Sequence, residues 1–325
     1  MAHVTQTHLA KHLGVSQALV ARALKNDPAV ARATRDRVQA EAARLGYRPN
    51  VTARALLTGR TGLVGLWISR PYGSYAARLI FGFEKLAQAA GVDLLIRDLG
   101  PQGQAEEMTA RHIGLVDGLI VVDAPWHVET LLRSGASSRP CVGLGSTISP
   151  RADGVAVDLF RGAGQALKHL REVGCRRIAY LRPEHPLGDR EDRRRAYVRA
   201  VRLPEEIAME DATRAAAHAA LTRHLKAHGC PDAVFCHNDD YALGALRALR
   251  ELNLRVPRDV AVVGCDGVED TEYLESPLTT IALPFDDMCR RVWTFLRERM
   301  DGYAGRPRRI RLMPELRVRG SSLRG

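Results

Sequence analysis

The sequence predicts an α/β protein with a three-helix head of helix-turn-helix type, a hinge behind it, and a longer body built on parallel sheets. Three observations predict this. A glycine-centred turn, Leu13-Gly14-Val15, separates two short segments whose apolar residues recur at helical spacing. A third such segment leads into the run Tyr47-Arg48-Pro49-Asn50-Val51-Thr52-Ala53-Arg54-Ala55-Leu56. From Thr61 onward, strand-like apolar runs alternate with helical patterns, as βαβ units and parallel sheets require. With 325 residues, 46% of them hydrophobic, the chain has room for a small head and two core-sized lobes.

In chain order, Thr5 is placed to cap a first helix whose inward residues are Leu9, Ala10 and Leu13, and Gly14 supplies the positive φ of a tight turn. Ser16 caps a second helix with Leu19, Val20, Ala23 and Leu24 on its apolar face, leaving Gln17, Ala18 and Arg22 on the other side. Those three suit base recognition: glutamine pairs two-fold with adenine, arginine with guanine, and alanine touches a thymine methyl. An ordinary amphipathic helix pair has the same pattern. A third helix, Ala33 to Leu45 with Val38, Ala42 and Leu45 inward, ends at Gly46. Residues 1–60 hold ten lysines and arginines against Asp27, Asp36 and Glu41, so they carry +7 of the chain's +11. Such a concentration of charge fits a polyanion such as duplex DNA, or simply a solvated basic surface.

Strands are expected at Leu63–Ile68, Val92–Ile96, Gly118–Val122, Arg177–Leu181, Ala233–Cys236 and Val260–Val263, with Gly91, Gly174 and Gly229 ending the helices before them. No cofactor is expected. Gly143-x-Gly145 lacks the third glycine of a dinucleotide loop, and neither a Walker lysine, a G-x-S-x-G elbow nor H-E-x-x-H occurs. His224 and His228 share a helix face, but no acidic or cysteine ligand is evident near them in the sequence. The six cysteines are scattered, with no Cys-x-x-Cys pair, and read as reduced, buried thiols. Without a run of about 18 apolar residues or a leader-like start, a cytoplasmic protein with no membrane partner is expected.

At Leu9-Ala10, Gly14-Val15-Ser16, Val20, Arg22, Thr34-Arg35, Arg37-Val38, Leu45-Gly46-Tyr47-Arg48-Pro49-Asn50, Ala53-Arg54, Leu56 and Thr58-Gly59-Arg60-Thr61, the chain resembles the lactose-repressor (LacI/GalR) family of transcriptional regulators. The resemblance continues to the C-terminus. It implies a head at 1–46, a hinge helix and linker at 47–60, and a body at 61–325 of two Rossmann-like, periplasmic-binding-protein-like lobes. Lobe one would be about 61–158 and 286–310, lobe two about 159–285 and 311–325, with three crossings between them. DNA contacts are expected from Thr5, Ser16, Gln17, Ala18, Arg22, Lys25, Asn50, Ala53, Arg54 and Leu56, the last as an apolar wedge in the minor groove. His8 stands where relatives carry an acidic capping-box residue, and Ala31 where they carry a serine cap, so both helix starts are expected to be weakened. Leu19 and Ala21 replace hydroxyl residues that touch phosphates in relatives.

The same resemblance assigns an effector site between the lobes to Arg193, Asn238, Asp266 and Phe285; Tyr72, Tyr75 and Trp67, near the end of the first strand, are placed to line the other wall or are ordinary surface or core aromatics. Ionised donors and acceptors bracket adjacent hydroxyls, and an aromatic packs on a ring's C–H face; Arg193 and Asp266 forming only an interlobe ion pair is the plainer alternative. Departures include Tyr72-Gly73-Ser74-Tyr75, Asp158-Leu159 and Leu283. The implied function is a homodimeric repressor of a near-palindromic double-stranded operator, switched by a sugar or sugar derivative. A nucleoside, purine or other non-sugar effector, or none, is the alternative. The dimer is expected to use Ala76–Ala90 and Met288–Met300. A transport receptor would share the lobes but not the head, and an enzyme would need a nucleophile or cofactor loop that the sequence does not show.

Overall fold

A computed structural model describes residues 4–47, 59–69, 73–100, 113–133, 139–184, 188–209 and 211–324. The chain divides into a head unit, Met1–Gly62, and a body, Leu63–Gly325. Asn50, Ala53, Arg54, Leu56 and Tyr72 lie outside the described residues.

Capping and small side chains set the three head helices. Thr5 opens α1 (Gln6–Leu13), its Oγ1 accepting the His8 N–H at 3.3 Å. His8 Nδ1 in turn accepts the Thr5 N–H at 3.4 Å, so imidazole completes the capping box that its lack of a carboxylate was expected to forfeit. Gly14 turns the chain at φ 67°, and Ser16 Oγ accepts the Leu19 N–H at 3.2 Å to open α2 (Gln17–Leu24). Helix α3 (Arg32–Arg44) starts at Ala31 with no side-chain cap. It ends in a Schellman turn: Tyr47 N–H reaches Ala42 O at 2.8 Å and Gly46 N–H reaches Ala43 O at 3.1 Å. Leu9, Leu13, Val20, Ala23, Val30, Val38 and Ala42 close the small core.

In the body, the first sheet holds β1 (Leu63–Ile68), β2 (Asp93–Asp98), β3 (Gly118–Val122), β4 (Cys141–Gly145), β5 (Asp153–Val157) and β11 (Arg309–Leu312), in the order β11-β5-β4-β3-β1-β2. The second holds β6 (Ile178–Pro183), β7 (Glu205–Met209), β8 (Ala233–Cys236), β9 (Ala261–Asp266), β10 (Thr279–Ala282) and β12 (Glu315–Arg317), in the order β12-β10-β9-β8-β6-β7. All pairings are parallel except β12 with β10. The chain crosses from sheet to sheet after Val157, after Ala282 and after Leu312. That last crossing falls slightly later than residue 310, because Arg311 and Leu312 complete the pairing of β11 with β5.

Residues alternate between the two covered faces of each sheet. Val64, Leu66 and Ile68 of β1 meet Ile120 and Val122 of β3 on one face, while Trp67, Leu119 and Val121 fill a separate core on the other. In the second sheet Ala233 and Phe235 point one way, Val234 and Cys236 the other. The covering helices of the body are α4 (Ser74–Ala90), α5 (Pro125–Arg133), α6 (Leu159–Glu172), α7 (Asp192–Ala200), α8 (Arg214–His228), α9 (Asp239–Glu251) and α10 (Phe285–Met300). Gly91, Gly174 and Gly229 end their helices at positive φ, as the sequence suggests. Cys230 is exposed, against the expectation of buried thiols. Among the described residues no helix is long and apolar enough to cross a membrane.

Candidate functional site

On α2, Gln17, Ala18 and Arg22 are exposed together while Val20 and Ala23 are buried, as helical periodicity requires. Thr5 and Ser16 spend a lone pair on their caps, and Lys25, exposed, closes α2. Asp27 is the residue that sequence reasoning passed over. Its Oδ2 accepts Arg22 Nε–H at 2.8 Å and its Oδ1 accepts the Ala29 N–H at 2.9 Å, and these two interactions hold its carboxyl below the usual range. Arg22 therefore has its Nε fixed and its two Nη groups left to donate outward.

A cavity of about 640 Å³ opens between the carboxyl ends of the two parallel sheets, the place where open α/β sheets bind ligands. Tyr75, Arg193, Asn238 and Asp266 all line it. Phe285 does not. It is buried in the core, 5.8 Å from the Tyr75 ring and beneath Arg78, because it begins α10 and turns its ring inward; Leu283 lines the cavity instead. Trp67 is likewise a core residue, on the opposite face of β1.

Arg193 is almost wholly buried. Its Nε donates to Glu191 Oε1 at 2.7 Å and its Nη1 to the His237 carbonyl at 2.9 Å. Glu191 also accepts the Arg194 N–H at 2.8 Å to cap α7. Burial alone would raise the Glu191 carboxyl, but the charges of Arg193 and His237 with the Arg194 N–H hold it far below its ordinary value. An Arg193–Asp266 ion pair is thus not formed: both residues belong to the second lobe, and the arginine's carboxylate is Glu191. Tyr180 ties this group to the sheet, its hydroxyl 2.9 Å from His237 Nδ1.

Asp266 ends β9 at φ 129°. Burial, then the neighbouring charge of Asp239, pushes its carboxyl well above the usual range, with Arg193 opposing. Asp239, just after Asn238, sets the next turn: its Oδ2 accepts the Gly267 and Val268 N–H groups at 2.8 and 2.9 Å, and its Oδ1 accepts Thr280 Oγ1–H at 2.6 Å. Asn238 caps α9 with Oδ1 on the Tyr241 N–H at 2.9 Å, leaving its amide N–H groups as donors. From the first lobe comes Asp123, in the left-handed region at φ 54°, beside Tyr75; burial raises its carboxyl to about 6. No motif in the sequence announced it. A side chain at Gly145 would meet its carboxylate, so the glycine makes room for it.

Across the mouth, Ser74 at the start of α4 donates its N–H to Asp240 Oδ2 at 3.0 Å and its hydroxyl to Oδ1 at 3.1 Å. Arg214 of the second lobe donates to Asp240 Oδ1 at 2.7 Å and to Ser74 Oγ at 3.0 Å. Away from the cavity, His224 has an acidic neighbour the sequence did not reveal, Glu205 at 2.5 Å, but that carboxylate also takes both Nε and Nη2 of Arg177. No group of three or more metal-ligating side chains occurs among the described residues.

A helix-turn-helix head joined to a periplasmic-binding-protein-like body defines a class of protein. The match to known proteins is specific: residues 7–50 match the model of "Bacterial regulatory proteins, lacI family", and residues 167–322 that of "Periplasmic binding protein-like domain". The HTH-type transcriptional repressor CytR of Escherichia coli strain K12 is 30% identical, covering 98% of this chain and 96% of its own. The HTH-type transcriptional repressor PurR of Aliivibrio fischeri strain MJ11 is 30% identical, covering 97% of each. Among solved structures, the transcriptional regulator CelR–cellobiose complex is 28% identical with a TM-score of 0.69, covering 98% of this chain and 100% of that one. A lac repressor dimer bound to operator and the anti-inducer ONPF shares the fold, with TM-score 0.83 at 24% identity over 99% of this chain and 100% of that one. The chain belongs to the lacI family of bacterial regulatory proteins and is a DNA-binding transcriptional regulator.

Proposed function

We propose that the chain is a homodimeric, cytoplasmic repressor of a near-palindromic operator, released or retained according to a small hydroxylated effector in the interlobe cavity. The observation that carries this reading is the convergence of Tyr75, Arg193, Asn238 and Asp266 on one cavity, in a chain whose head presents Gln17, Ala18 and Arg22 on a single helix face. Donors and acceptors so placed bracket adjacent hydroxyls. A sugar is the first candidate, and the cellobiose complex of a relative agrees with it. A nucleoside is the second, favoured by Trp126 and Tyr241 on the cavity wall, which offer rings for a base to stack on. Two heads on one duplex enter successive major grooves, with further DNA contacts from Thr5, Ser16, Lys25, Asn50, Ala53 and Arg54 and with Leu56 as the apolar wedge in the minor groove.

For the dimer we assign the α4 and α10 faces. Phe81, 61% exposed on α4, gives that face an apolar anchor. Effector closure of the lobes favours one dimer state over the other, a coupling typically of about 1–3 kcal/mol. Selection of bound sequences from random duplexes, followed by gel shifts across a salt series, tests the reading. A two-half-site consensus bound by a dimer is expected; binding with no sequence preference, or by a monomer, overturns it.

A further inference from the structure

The charge of the cavity is more one-sided than its list of polar groups suggests. Among the described residues two guanidinium groups line it, and each is held in part by the protein. Arg193 is held by Glu191 and the His237 carbonyl, and Arg214 by Asp240 and Ser74. Facing them are Asp123 from the first lobe and Asp266 from the second. Asp266 is only 5% exposed, and no described residue donates a hydrogen bond or ion pair to its carboxylate. Asp123 and Asp266 both stand at the carboxyl ends of strands at positive φ, a conformation that a side-chain-bearing residue keeps only when its surroundings impose it.

A buried carboxylate with no donor is costly unless something supplies one. Among the described residues none supplies one, and an occupant of the cavity can. A neutral polyol satisfies one carboxylate by hydrogen bonds, whereas a protonated amine flanked by hydroxyls satisfies both and balances the charge. A phosphate or carboxylate ligand would meet Asp123 and Asp266, with both lining arginines already partly engaged by the protein. Building on the effector-switched reading, we propose that the cavity selects a hydroxylated ring compound that carries a protonated amine, such as an amino sugar, and that Asp123 and Asp266 are the selecting groups.

The test uses the full-length protein and three matched sets of probes: glucose, glucosamine and glucose 6-phosphate; galactose, galactosamine and galactose 6-phosphate; adenosine, 3′-amino-3′-deoxyadenosine and adenosine 5′-monophosphate. Melting temperature and calorimetric Kd are read for each. In at least one set the amine is expected to bind about tenfold more tightly than its neutral parent, with no binding of the phosphate. Asp123→Asn should erase that advantage, bringing the amine and its neutral parent to the same Kd. The ranking on the wild-type protein decides the matter if the variant does not fold. A phosphorylated probe that binds as well as its amine overturns the charge selection and leaves the effector-switched reading standing. Silence from all nine compounds, with operator binding intact, also overturns the assignment. A neutral sugar that then releases the operator would keep the switch while rejecting the amine.

Discussion

Arg22 is oriented on the exposed face of α2, because Asp27 holds its Nε and fixes the plane of the guanidinium. Arg22→Ala should cost about 1–3 kcal/mol and relax selectivity at one base pair, whereas an equal loss on every operator variant would make it a phosphate contact. Asp27→Ala is the sharper probe. With one negative charge fewer, overall DNA affinity should rise while discrimination at the Arg22 base pair falls; a rise without loss of discrimination would show the ion pair to be incidental. In the cavity, burial lifts the Asp123 carboxyl from 3.8 to about 6. The native state then binds this proton more tightly than the unfolded chain, so its contribution to stability declines as pH rises from about 4 to about 6 and stays unfavourable above that. Asp123→Asn should therefore stabilise the ligand-free protein at pH 7.5 by on the order of 1–3 kcal/mol, with the gain vanishing near pH 4, as thermal melts across pH would show. Family pattern made Arg193, Asn238 and Asp266 legible because each stands in a recognisable stretch. Asp123 and Glu191 were not, since one is simply the residue after a buried strand and the other serves through a partner two positions away. Phe285 misled because sequence position gives no rotamer: starting a helix, it faces the core.

Helix caps and terminating glycines are local chemistry, and so α1, α2, α6 and the ends of α4 and α8 could be read directly from the chain. Strands β4, β5, β7, β10, β11 and β12 could not. Cys141-Val-Gly-Leu-Gly and Asp153-Gly-Val-Ala-Val carry glycines that weaken an isolated strand signal, and Thr279-Thr-Ile-Ala is short. β4 and β5 are strands because parallel neighbours on both sides claim their backbone groups, β10 because β9 and the antiparallel β12 do, and the edge strand β7 because β6 does, a condition set by tertiary structure alone. Gly244, within α9, shows the reverse case. A glycine weakens a helix, yet here a Cβ would lie 2.9 Å from the Ala217 Cβ and 3.1 Å from the His218 nitrogen, so the gap lets α8 and α9 pack closely. Gly244→Ala should cost about 1–3 kcal/mol in urea denaturation despite alanine's better helix propensity. A neutral or stabilising result would mean that the two helices can separate freely.

At the scale of the whole chain, the two-part division and the concentration of charge at residues 1–60 were visible from sequence, because charge and periodicity do not depend on contacts. The relation of one lobe to the other was not, since it turns on side chains far apart in sequence. Ser74, Asp240 and Arg214 form such a contact across the cavity mouth. Asp240→Ala removes the acceptor for both partners and should change operator affinity in the absence of effector by several-fold, within the coupling energies of about 1–3 kcal/mol typical of such switches. If operator affinity and the effector response both stay as in the wild type, the lobes are held by other means. The clasp also bears on time as well as on equilibrium. On the proposed reading a ligand would reach Asp123 and Asp266 past the contact of Ser74 with Asp240, so the carboxylates would govern how long an effector stays, while the opening rate of one serine–aspartate–arginine contact would govern how soon the cell's signal is heard.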